Sequence, residues 1–85
     1  MTQDNLTQEE QINSDNLNSF MNDKIEAHIL LKRLNPQGKN IFLNGFIIKK
    51  STERTWIINE RVLGEIRVSI AEIKDNGISK YEVEN

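Results

Sequence analysis

The feature that most constrains this chain is the octapeptide Ile41-Phe42-Leu43-Asn44-Gly45-Phe46-Ile47-Ile48. It is the densest apolar run in the sequence, holds two of the three phenylalanines, and is broken at its centre by Asn-Gly. Asn-Gly between apolar flanks suits a tight type I′ turn, because both residues tolerate positive φ. It also suits a bulge in one long strand, where glycine relieves the backbone. Both readings put this stretch at the heart of a small β-rich domain.

The rest of the chain limits what can surround that heart. Eighty-five residues make one domain, with a core small enough that self-association would help it. There is no cysteine, hence no disulfide and no thiolate metal site, which fits a reducing compartment. No apolar run approaches the roughly 20 residues needed to span a bilayer, and the acidic, polar N-terminus is unlike a secretory signal or transit peptide. The expectation is a cytoplasmic protein with no membrane association and no cofactor.

The net charge of −2 hides an asymmetry. Residues 1–23 carry Asp4, Glu9, Glu10, Asp15 and Asp23 with no lysine or arginine, a net of −5, whereas residues 24–85 sum to +3. An acidic arm on a mildly basic body lets the body meet an anion while the arm steers it or competes with it. The same charges also suit an ordinary solvated domain with a polar tail, since +3 is far from a strongly basic domain.

Read in order, residues 1–13 are mostly polar, carry only isolated apolar side chains, and are expected to be disordered. Ser14 and Asp15 can cap a helix, and Leu17, Phe20, Met21 and Ile25 then form one apolar stripe, predicting a short helix over 14–24. From Ile25 the period drops to two, which predicts a strand over 25–34. A helix continued toward Leu34 also keeps a four-residue spacing. Asn35-Pro36-Gln37-Gly38 has the composition of a type I turn, so a hairpin with strands at 25–34 and 39–50 is preferred. Thr55 to Ile58 reads as a third strand and Glu65 to Ala71 as a fourth, with Ile66, Val68 and Ile70 on its buried face. Asp75-Asn76-Gly77 is a second turn signal, followed by an edge strand over 78–83. One short helix ahead of these strands predicts a mainly β fold, a small antiparallel barrel or strongly bent sheet of Sm-like or SH3-like kind.

Catalysis has little to work with. The only histidine, His28, falls on the outward face of its strand with no motif supplying an acid–base partner. There is no glycine-rich phosphate loop and no metal-ligand spacing, so a non-enzymatic protein is expected. Binding has more. Lys49, Lys50, Arg54, Arg61 and Arg67 are interleaved with Phe42, Phe46 and Trp56. Cations track phosphates and aromatic faces stack on unpaired bases. Each residue also has an ordinary role: the two phenylalanines as core, Trp56 as a half-buried strand residue, and the cations as a solvated strand face.

Phe42-Leu43-Asn44-Gly45-Phe46 resembles the first Sm motif of the bacterial Hfq proteins, in which a leucine-asparagine-glycine-phenylalanine run turns the first strand into the second. Phe20-Met21-Asn22 is similar to a phenylalanine-leucine-asparagine of the N-terminal helix in that family. Ser69-Ile70-Ala71-Glu72-Ile73 looks like the end of the second Sm motif, which forms the subunit-pairing strand. Lys50 stands where the family carries a glycine. The resemblance implies an Sm-like barrel, a ring-shaped homo-oligomer, single-stranded A-rich or U-rich RNA as ligand, and Gly45 and Phe46 at the RNA. It also implies a first strand over 39–43 with Asn44-Gly45 as the turn, in competition with the hairpin at Pro36. The expected function is regulatory single-stranded RNA binding. The competing expectation is a protein-binding adaptor or inhibitor that engages its partner through the acidic arm or the 78–83 edge.

Overall fold

The computed structural model describes residues 6–82. Helix α1 spans Gln8–Asp23, and its ends set its length. The Thr7 hydroxyl accepts from the Glu10 N–H while the Glu10 carboxylate accepts from the Thr7 N–H, a reciprocal cap that satisfies two otherwise orphaned donors. Lys24 closes the other end in the left-handed region, φ 57°. The helix therefore begins six residues before the predicted 14. Residues 8–13, expected to belong to a disordered arm, are helical, and residues 1–5 of that arm lie outside the described residues. A tertiary contact supports this polar half. Asn13 is buried, and its amide donates to the Lys74 carbonyl at 3.1 Å.

Five strands follow: β1 Ala27–Leu34, β2 Asn40–Thr52, β3 Thr55–Glu60, β4 Gly64–Ser69 and β5 Ile73–Lys80. They form one sheet in the order β4-β3-β2-β1-β5, antiparallel throughout. A single 3₁₀ turn, Ile70–Glu72, joins β4 to β5. The fold is mainly β, an N-terminal helix followed by a bent sheet, as predicted. Of the two forms expected, the closed barrel is not the one adopted, because β4 and β5 remain as open edges. No helix among the described residues is long and apolar enough to cross a membrane.

The β1–β2 hairpin turns where Pro36 placed it. Asn35 Oδ1 accepts from the N–H groups of Gln37 and Lys39, each at 2.9 Å, an Asx arrangement that holds the chain while Gly38 takes φ 77°. The continuation of α1 toward Leu34 is thereby overturned. Asn44-Gly45 is not a turn. It lies mid-strand in β2, with Ala27 of β1 opposite Gly45 on one side and Glu60 of β3 on the other. Asp75-Asn76-Gly77 is not a turn either. β5 runs through it from Ile73, with Asn76 at φ 57° taking up a local kink. The last strand thus starts five residues before the predicted 78, and Val83 lies outside the described residues.

Alternation along the strands sends one set of side chains inward. Ile29, Leu43, Trp56, Ile58, Val68 and Ile73 form the core with Leu17 of α1, while Phe20 and Met21 pack against it. Trp56 is fully buried, and its indole N–H donates to Asn18 of the helix at 3.1 Å, so the polar edge of the ring is satisfied.

Glu60, buried at the end of β3, is the polar pin of the sheet. Its carboxylate accepts from the backbone N–H groups of Asn44, Val62 and Leu63 at 2.8–3.0 Å, which joins β2 to the β3–β4 turn. Burial pushes its pKa up, but the three donors outweigh burial and hold it below the ordinary 4.5. A depressed folded pKa contributes stability that is complete above pH 4.5 and is lost as pH falls through the folded value. Glu60→Gln should therefore destabilise by about 1–3 kcal/mol at neutral pH. In urea unfolding, the gap between the two proteins should shrink below about pH 4. A gap independent of pH would contradict this role.

Candidate functional site

The outward face of the sheet is the face that α1 does not cover. On β2 the outward positions are Phe42, Asn44 and Phe46, and the two phenylalanines are 51% and 46% exposed. They lie ~13 Å apart along the strand at ~3.3 Å per residue, far enough to serve two separate planar groups. Their apolar run predicted core packing for both, but the two-residue alternation with Leu43, Gly45 and Ile47 turned inward leaves them on the solvent side.

A register shift at Ile48 decides which lysine joins them. Ile47 opposes Ile58, yet Lys49 opposes Ile57, so one extra residue is accommodated between. Without that bulge Lys49 would share the inward parity of Ile47. With it, Lys49 lies in one outward row with Ile57 and Arg67, and Lys50 moves to the opposite side over the Trp56 ring, 5.3 Å from its centroid. The neighbouring row holds Phe46, Asn59 and Glu65. Its carboxylate favours an anion passing along the Lys49–Arg67 row instead.

His28 completes this face from β1. Its Nδ1 lies 2.6 Å from Asn44 Oδ1, and its ring centroid lies 4.9 Å from that of Phe42, tilted by 43°. It is the outward-facing histidine that the alternation predicted.

The chain matches no known protein family, no curated protein and no solved structure. The observed helix followed by a five-stranded antiparallel sheet is consistent with Sm-like topology.

Phe42, Phe46, Lys49 and Arg67, among the nine predicted binding residues, share the exposed face. The other five do not. Trp56 has no exposed surface and cannot offer a stacking face, contrary to expectation. Gly45 is buried between strands. Arg54 pairs with Glu10 of α1 at 3.4 Å. Arg61 makes a two-pronged bond to Glu26, which raises its pKa, and lies over the Tyr81 ring at 4.5 Å. Lys50 is on the wrong side. Sequence reasoning missed His28 and Asn44 as members of the face. The alternation pointed to His28, but the cross-strand register that joins it to Asn44 and Phe42 needed the hairpin at Pro36. No group of three or more His, Asp or Glu residues that could hold a metal occurs among the described residues.

Proposed function

We propose that this chain binds single-stranded RNA on the outward face of its sheet, as a non-enzymatic regulatory protein of Sm-like kind. Phe42 and Phe46 stack on unpaired bases, and Lys49 and Arg67 hold the phosphates between them. One observation carries the reading: two half-exposed phenylalanines and two cations occupy the same uncovered sheet face. Exposed aromatics beside a cationic track are what unpaired bases and their backbone require. Self-association through the open edges β4 and β5 belongs to the same proposal. It multiplies a modest face into a longer track, and unpaired strand edges invite it.

The test is fluorescence anisotropy of labelled A-rich and U-rich single-stranded RNAs titrated with the full chain at two salt concentrations. Binding should weaken with salt. Lys49→Ala with Arg67→Ala should lower the slope of log affinity against log salt by about 1–2, whereas the already paired Arg61 should contribute little when replaced by alanine. A flat titration at low salt would remove RNA binding as the function.

The open β5 edge also supports a second reading, a protein partner adding a strand there. That reading predicts no RNA affinity and loss of partner binding when β5 is disrupted.

A further inference from the structure

We propose that His28 is a proton-dependent member of the binding face, so that its RNA affinity rises as pH falls through the titration of this imidazole. The inference rests on the RNA reading above and adds the regulation of that site. The geometry is specific. Asn44 Oδ1 lies 2.6 Å from His28 Nδ1. With the amide oxygen placed there it can only accept, so Nδ1 carries a proton in the neutral ring. The second proton must then go to Nε2, which no described hydrogen bond engages. Protonation converts a neutral ring into a cation beside Phe42, whose centroid is 4.9 Å away. A phosphate following a base stacked on Phe42 would meet an imidazolium there, and a charge-assisted bond is about twice as strong as a neutral one.

The surroundings leave this proton free to act. Just ahead of the strand, Glu26 is committed to Arg61. From β2, His28 is faced by Asn44 and Phe42, neither of which titrates. From β5 it is opposed by Ser79, with Lys80 one position on, opposite Ala27, and Tyr81 beyond it against Arg61. Histidine is the side chain whose ordinary charge change lies nearest physiological pH, which makes a proton on this face a variable to test.

The same two labelled RNAs, titrated with the full chain at about pH 5.5 and about pH 8, test this. Near-ultraviolet circular dichroism at both values establishes that the fold is kept. Wild-type affinity should be about five- to tenfold higher at the acidic pH, and His28→Gln should abolish the difference between the two pH values. Asn44→Asp places a carboxylate against Nδ1 and should move the midpoint of the transition to higher pH, which a purely structural role for residue 44 would not do. An equal pH effect in His28→Gln would overturn the inference and leave RNA binding standing. No binding at either pH would overturn both.

Discussion

Gly45→Val should cost about 3 kcal/mol or more, enough to unfold much of a domain this small, whose total stability is expected near the lower end of about 5–15 kcal/mol. A Cβ at position 45 would lie 2.8 Å from both the Asn59 carbonyl carbon and the Glu60 Cα. Both are backbone atoms of β3, so no side chain can swing aside. Relief requires β2 and β3 to separate where Glu60 bridges to the Asn44 N–H. Gly64→Ala is the control. Gly64 has φ 78° but nothing within 4 Å of an added Cβ, so the cost there is only the backbone strain, about 1–2 kcal/mol. Urea midpoints of the two variants should rank clearly, with Gly45→Val far the lower. Equal midpoints would mean that the close approach of β2 to β3 is not a constraint.

The second large effect falls on binding. Phe42→Ala combined with Phe46→Ala should weaken RNA affinity at least ~30-fold, since each stacked base contributes about 1–3 kcal/mol. Both rings are about half exposed, so the double variant should retain cooperative unfolding near the wild-type midpoint. Trp56→Phe should change RNA affinity little, because the indole is enclosed beneath α1. If instead the Trp56 variant lost RNA binding and the phenylalanine pair did not, the ligand would lie on the helix side.

These two predictions also show which signals can be read along a chain of this kind. The strand succession and the hairpin at Pro36 were legible, because a period of two and an Asn-Pro-x-Gly turn are local. Asn44-Gly45 misled where it was read as a turn. Its glycine is needed for a non-local reason, the approach of β3 from residue 59, and no local pattern separates that need from a turn's. Asp75-Asn76-Gly77 failed likewise. There Asn76 takes the positive φ within a continuing strand, and Gly77 fits because an added Cβ would lie 2.7 Å from the Lys74 carbonyl oxygen. The early start of α1 was present as Thr7-x-x-Glu10, a capping box, but the apolar stripe begins later and drew the boundary with it. For the candidate site, residue types were legible and sides were not. The bulge at Ile48 exchanges the roles of Lys49 and Lys50, and the ion pairs that occupy Arg54 and Arg61 reach partners 44 and 35 residues away.

The central claim is that the uncovered sheet face meets RNA. The most direct measurement is a ¹H–¹⁵N correlation spectrum of the full chain recorded during addition of the A-rich or U-rich RNA. The account predicts concentration-dependent shifts centred on His28, Phe42, Asn44, Phe46, Lys49 and Arg67, with the amides of α1 and the Trp56 indole nearly unmoved. Shifts confined to α1 and the β5 edge, or no shifts at low salt, would contradict it.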